Sequence, residues 1–237
     1  MEKVKKVKIS LGVIYLVILT IFIYFLFNYF DFEDISSIKV IQSNQDQLNI
    51  LKENNLILLI SIFFFITVLW VFLLGFGSPV ALIGGFIFGK WIGTIVVTLS
   101  LSIGALCLYI FAKFFLYDFL KEKLFLKFKK LNLMFQKKQL LVMIIFRFVG
   151  VVPFFLGNLL PVIFNINAKN YLLGTIIGIM PAIFVMVSLG SGINEAIYSS
   201  KEFPSLLSLI SSPGIYFPIV GFLIILILSI IFKKKFK

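Results

Sequence analysis

The chain alternates long apolar blocks with short charged ones. Residues 9–30 and 91–112 carry no charge over the roughly 20 residues a helix needs to cross a bilayer core. Residues 56–74, 171–189 and 215–232 are also apolar throughout. Runs of this length predict membrane helices. Two segments are apolar but interrupted. GFGSP at 75–79 places two glycines that free the backbone, a serine (Ser78) suited to capping a helix, and a proline (Pro79) suited to its first turn. The piece that follows, 79–89, has about half the rise of a crossing helix. Residues 140–166 hold Arg147, Gly150, Pro153, Asn158 and Pro161 inside an otherwise apolar stretch.

The charges then decide how these blocks thread the membrane. Lys3, Lys5, Lys6 and Lys8 precede the first span, which predicts a cytoplasmic N-terminus. Residues 31–55 carry five acids against Lys39 and Lys52, which suits an external loop. A lysine block occupies 121–138, and KKKFK ends the chain at 233–237. Full crossings by both 56–74 and 91–112 would leave the 121–138 lysines outside. They fall inside if 56–90 is a hairpin open to the outside. The 233–237 lysines also fall inside if 140–166 is a hairpin open to the inside.

The expected fold is therefore an all-α polytopic membrane protein with about four full transmembrane helices and two opposed re-entrant hairpins. Its parts are a basic cytoplasmic tail (1–8), an N-terminal anchor (9–30), an external polar loop (31–55) and a membrane core (56–190) containing hairpins 56–90 and 140–166. An external loop (191–213), a C-terminal transmembrane helix (214–232) and a basic cytoplasmic tail (233–237) complete it. The order is hairpin then span, twice, from opposite sides. WIGTIVV at 91–97 and YLLGTII at 171–177 open the two spans, and both contain Gly-Thr-Ile. Inverted repeats with broken helices are a common way to build a transport site near the midplane. Between the repeats, Leu120, Leu124, Phe128, Leu131 and Phe135 recur at helical spacing among lysines. That predicts either a basic amphipathic helix on an anionic leaflet or a plain cytoplasmic connector.

Composition narrows the function classes. Hydrophobic residues make up 61% and charged residues 14%, against about half and a quarter in soluble domains, so no soluble catalytic domain is expected. The net charge of +12 lies on lysines flanking apolar runs, which points to lipid rather than nucleic acid. The thirty phenylalanines accompany many Ile, Lys and Asn and read as compositional bias. With no histidine and a single cysteine, Cys107, neither a metal cluster, a cofactor site nor an internal disulfide is expected. No paired carboxylates occur inside the apolar runs and no GxxxxGK[ST] pattern is present, so the reading is not an enzyme and not an ATP-driven pump. The N-terminal run lacks a small-residue cleavage site and reads as an uncleaved anchor.

Arg147 is the main chemical signal. It is the only arginine in the chain, placed about 14 Å along a leg that starts near residue 140. A cation near the bilayer centre costs at least ~2.5 kcal/mol on insertion scales, and no acid lies in any apolar run to offset it. Its candidate partners are carbonyls freed at 150–153, Asn158, water, or an anionic ligand. One reading makes Arg147 the receiver of a lipid phosphate, whose geometry the guanidinium fork matches, with helix N–H groups at Pro153 adding to the site. The other makes it a brace tying the hairpin legs together through carbonyls. Asn158 either completes the phosphate site or satisfies the hairpin backbone. Pro161 and Pro181 read as kinks or hinges, Gly84, Gly85 and Gly89 as close-packing positions, and Ser78 as a cap.

GGFIFGKWIG (84–93), SIGA (102–105), FRFVGVVPFFLGN (146–158), YLLGTIIGIMP (171–181) and LG (189–190) occur in this order. As a set they resemble the VTT-domain family, also called the SNARE-associated Golgi protein family, of the DedA superfamily, and within it the Tlg-vesicle-protein type of many bacteria. The resemblance implies two opposed re-entrant hairpins, a multi-pass protein of the bacterial plasma (inner) membrane, and lipid movement between leaflets by a scramblase or flippase. The implied partners are membrane lipids, either anionic phospholipid or polyprenyl phosphate, and a homo-oligomer is possible on this reading. Arg147, Pro153, Phe154, Asn158, Tyr171, Gly174 and Pro181 fall on the family pattern, with Ser78, Pro79, Gly84, Gly85 and Gly89 as candidates in the first hairpin. The chain departs from the pattern in three places. Residues 79–89 lack the acids many members carry there, Lys113 stands where an arginine is usual, and Pro161 interrupts the second hairpin. A non-transporting scaffold for envelope integrity or division is the competing reading.

Overall fold

The computed structural model describes residues 2–29, 38–124, 129–150, 152–200 and 214–224. Every regular element among them is helical, as expected for a multi-pass all-α membrane protein. The elements are α1 (Glu2–Tyr29), α2 (Ile38–Phe72), α3 (Gly77–Leu124), α4 (Lys129–Lys137), α5 (Gln139–Val149) and α6 (Phe154–Leu159). A 3₁₀ turn (Leu160–Phe164), α7 (Ala168–Ser200) and α8 (Gly214–Ile224) follow. Residues 31–37, 201–213 and 225–237 lie outside the described residues, so the start of the expected first loop, most of the second and the basic C-terminal tail do too.

The first hairpin is present but lopsided. Its outgoing leg is the end of α2, and Ile50–Phe72 is long and apolar enough by itself to cross a membrane, whereas the expectation was a half-span from 56. Its return leg is short, because Gly89 adopts φ 74°, ψ 177° and breaks α3. That backbone is open to glycine and costly for other residues. At the break α3 folds back on itself. A Cβ on Gly77 would sit 3.5 Å from Leu101, and one on Gly93 would sit 2.8 Å from the Gly84 carbonyl. The arm after Gly89 is therefore the crossing one, and the arm before it lies between α2 and that span. Phe63 of α2 stacks edge-on against Phe88 at 5.2 Å.

The second hairpin runs the other way. α5 ends at Gly150, which is left-handed (φ 59°), and Pro153 precedes α6. Pro161 does shorten the α-helical part of this leg, which continues as a 3₁₀ turn with the proline in its first positions. Asn165, also left-handed, begins the turn into α7, and the Asn167 side chain accepts from Lys169 N–H at 2.9 Å as a cap. Gln139 Oε1 accepts from both Asn167 N–H and the Asn170 amide, tying the start of α5 to the start of α7. Tyr109 and Tyr171 stack at 4.3 Å and Trp91 meets Phe184 at 5.4 Å, so α7 runs antiparallel to the crossing arm of α3. Hairpin and span thus occur twice in opposite senses. The two hairpin tips meet where Phe76 packs edge-on against Phe155 at 6.0 Å.

Two segments read as loops are helical where they are described. Residues 38–54, read as part of an external loop, form helix that continues into 56–72 across a kink at Asn55. Residues 191–200 are helical too, because α7 continues to Ser200. The polar residues that suggested loops are compatible with helix once an apolar neighbour carries the chain through. In the basic segment 113–138, residues 113–124 belong to α3 and 129–137 form α4, and 125–128 lie outside the described residues. α4 buries Phe135, stacked on Phe164 at 4.6 Å, and leaves Leu133 and Met134 exposed. It is therefore anchored to the second hairpin, whatever its outer face meets.

α1 packs with Tyr15 against Phe72 and Phe111 and with Gly12 near Phe115. α1 therefore runs antiparallel to the crossing arm of α3, with Tyr15 beside Phe111 and Gly12 beside Phe115.

Candidate functional site

α5 lies parallel along α7 because α7 offers a face of small residues. A Cβ on Gly174 would stand 2.7 Å from Met143, and one on Gly178 would stand 2.8 Å from the Ile144 carbonyl. Residues one and two turns apart share a helix face, so Tyr171, Thr175 and Gly178 all look at α5. Arg147, in the last turn of α5, enters this seam with its side chain only 8% exposed.

The guanidinium is held by three side chains. Arg147 Nη2 donates to the Asn158 Oδ1 (2.8 Å) and to the Tyr171 hydroxyl (2.7 Å), and Nε donates to Thr175 Oγ1 (3.3 Å). The Tyr171 hydroxyl, having accepted, donates its own proton to the Ala105 carbonyl at 3.2 Å. The guanidinium carbon lies 5.4 Å from the Tyr171 ring and 5.5 Å from the Phe154 ring, within cation–π range. Among the described residues, Arg147 therefore ties α5 to α6 and α7 through an amide and two hydroxyls.

One donor is left over. Asn158 is fully buried, and its Nδ2 has no partner among the described residues. Turning the amide over would set that NH₂ against the arginine donor, so the assignment with Oδ1 toward Nη2 is the consistent one. Arg147 Nη1 makes none of the three bonds and borders Gly157, where an added Cβ would lie 3.2 Å from it. An unmatched buried amide donor beside the guanidinium, with no ion pair to either among the described residues, forms a cluster that favours an anion. On the face of α3 that carries Ala105, Thr98 and Ser102 are also buried with hydroxyls that have no partner. They continue the polar seam by two turns. Buried polar groups of this kind are ordinarily met by water or ligand.

The predicted residues divide into three groups. Arg147, Phe154, Asn158 and Tyr171 come together in the cluster, and Gly174 lets α5 approach α7 beside it. Pro153 is exposed and serves to start α6. Pro181 sits inside α7 and lines a separate cleft with Lys90. In the first hairpin, Ser78 and Pro79 are both exposed within the opening turn of α3, which begins at Gly77, so Ser78 is not its cap. Gly84 and Gly85 are packing positions, their Cβ directions filled by Val97 and by the Val187 backbone. Gly89 is the reversal.

Thr175, the Ala105 carbonyl and Gly178 are site elements that the sequence reading did not single out. Thr175 was accessible as the threonine of the repeated Gly-Thr-Ile, one turn beyond Tyr171. Its counterpart Thr94 bonds only the Lys90 carbonyl within its own helix. Lys113, at the place of the expected arginine, reaches the Ile166 carbonyl at 3.4 Å beside the Tyr109 hydroxyl, which donates to it at 2.6 Å.

The chain matches the VTT domain family over residues 71–192. That stretch begins at the tip of the first hairpin and contains the whole Arg147 cluster, and the match bears out the resemblance carried by the motifs. No curated protein and no solved structure matches the chain.

Proposed function

The chain belongs to the VTT-domain family, and on that basis and the chemistry of the Arg147 cluster we propose that it moves phosphate-bearing lipids between leaflets. The observation that carries this reading is the unmatched donor Asn158 Nδ2, fully buried beside the Arg147 guanidinium, which makes no ion pair among the described residues. In the arrangement described, the Asn158 and Tyr171 oxygens stand where phosphate oxygens would. A lipid phosphate entering at the hairpin tips exchanges with them and takes up the free Asn158 donor as well. Short hairpin legs meeting at Phe76 and Phe155 shorten the apolar distance a headgroup must cross. The lipid class is an anionic phospholipid or a polyprenyl phosphate, and the membrane a bacterial plasma membrane with both termini cytoplasmic. Movement is passive or gradient-driven.

The test places wild type and Arg147→Ala in liposomes with headgroup-labelled lipid and adds a membrane-impermeant quencher. Wild type exposes the inner-leaflet label; Arg147→Ala, equally folded and inserted, does not. Equal rates for the two remove Arg147 from the lipid path. A scaffold that moves nothing is the second reading, supported by the three bonds that already occupy Arg147. It predicts no label exposure by either protein, with phospholipid or polyprenyl phosphate.

A further inference from the structure

A cleft of about 470 Å³ opens away from the Arg147 cluster, where the Gly89 reversal, the middle of α7 and the whole of α8 come together. Its walls are Trp91, Phe184, Phe217, Gly221 and Phe222, and Lys90 is the one charged residue lining it. Among the described residues Lys90 makes no ion pair. At the mouth, an added Cβ on Gly214 would lie 3.9 Å from Lys90 Nζ, and Trp91 and Phe217 are each 69% exposed. At the far end, Phe222 touches Phe148, the neighbour of Arg147, at 5.7 Å. The cleft therefore runs from the Lys90 ammonium to Phe148 near the tip of the second hairpin. α8, which forms one wall, lies beyond the matched family region at 71–192, whereas Lys90, Trp91, Pro181 and Phe184 lie within it.

We infer that this cleft holds one anionic phospholipid, its phosphate on Lys90 and one acyl chain along the aromatic wall. Charge complementarity selects the occupant. Among the described residues the apolar groove is lined by one cation without an ion pair and by no acid, which disfavours a cationic ligand, and the exposed Trp91 and Phe217 offer it an apolar entrance. The volume lies within the range of small-molecule pockets, about 300–1,000 Å³. The site is a loading position that delivers the lipid toward Arg147, and in that role it rests on the lipid-moving reading; the binding itself does not.

Trp91 reports on occupancy directly. The chain has two tryptophans, and Trp70→Phe leaves Trp91 as the only indole. This variant is reconstituted in phosphatidylcholine vesicles doped with bromine-labelled phosphatidylglycerol or bromine-labelled phosphatidylcholine, and quenching is followed against mole fraction. The anionic lipid should quench at about fivefold lower mole fraction, the worth of one lysine against anionic lipid. Lys90→Gln should abolish that difference and Lys90→Arg should keep it. Gly221→Leu, at a position where an added Cβ meets nothing within 4 Å, fills the cleft and should remove the preference with Lys90 still in place. Equal quenching by the two lipids in the Lys90 protein overturns the proposal, and so does a preference that survives Lys90→Gln. If the preference is absent while wild type still moves lipid, this site alone fails. If the preference is present and no lipid moves, the transport reading alone fails.

Discussion

Replacing Tyr171 by phenylalanine removes one oxygen and leaves the ring, so the stack on Tyr109 at 4.3 Å is kept. The lost oxygen accepts from Arg147 at 2.7 Å and donates to the Ala105 carbonyl at 3.2 Å. A hydrogen bond to a charged group contributes about 1.5–3 kcal/mol and a neutral one about 1. Tyr171→Phe should therefore cost roughly 2.5–4 kcal/mol, the sum of the two. In an Arg147→Met background only the bond to Ala105 remains to be lost, so the same change should cost about 1 kcal/mol. The coupling between the two positions is then on the order of 1.5–3 kcal/mol. Equilibrium unfolding of the four proteins in mixed micelles, followed by circular dichroism, measures it. If Tyr171→Phe costs the same in both backgrounds to within ~0.5 kcal/mol, the hydroxyl does not hold the guanidinium, and the site described above is wrong.

Asn158→Asp places a carboxylate 2.8 Å from Arg147 Nη2 and removes the unmatched amide donor. Thermal stability should hold or rise while label exposure in liposomes falls at least about tenfold, because the internal anion takes the place of the phosphate. Undiminished exposure would remove the anion role of the cluster. Gly178→Ala drives a Cβ to 2.5 Å from the Arg147 Cβ and should cost about 1–3 kcal/mol by overpacking, whereas Gly221→Ala in the open cleft should be near neutral in the same melting assay. Gly89→Ala meets no neighbour within 4 Å yet should cost about 1–3 kcal/mol from backbone strain alone; a melting temperature like that of Gly221→Ala would contradict the reversal. In a Cys107-free background, cysteines at Lys90 and Lys130 should label from opposite faces of the membrane, with Lys130 cytoplasmic.

Much of the architecture was legible along the chain because its causes are one-dimensional. Apolar length predicts membrane helices whatever they pack against, and 171–189 lies within α7 as read. Glycine and proline break helices through their own backbone, so the interruptions at GFGSP, Gly150–Pro153 and Pro161 were visible before any contact was known. Lysine placement called for two chain reversals, and the helix pairs that turn at 73–76 and at 150–153 lie where they were expected. Arg147 stood out because the cost of a cation in an apolar segment depends on depth, which sequence position approximates.

The sequence misled where a helix carries on past its apolar stretch. The polar residues of 38–54 and 191–200 look like loops, but an adjoining helix already nucleated lets them continue at little cost. The tertiary structure alone decided the partners of Arg147. Asn158, Tyr171, Thr175 and the Ala105 carbonyl come from three separate helices, and they meet only because Gly174 and Gly178 bring α5 within van der Waals distance of α7 while α3 runs antiparallel to it. Sequence by itself determined that a buried cation needed partners and that no acid was available. Which oxygens would answer it, and which donors would be left over, depends on distances between helices that no local pattern encodes.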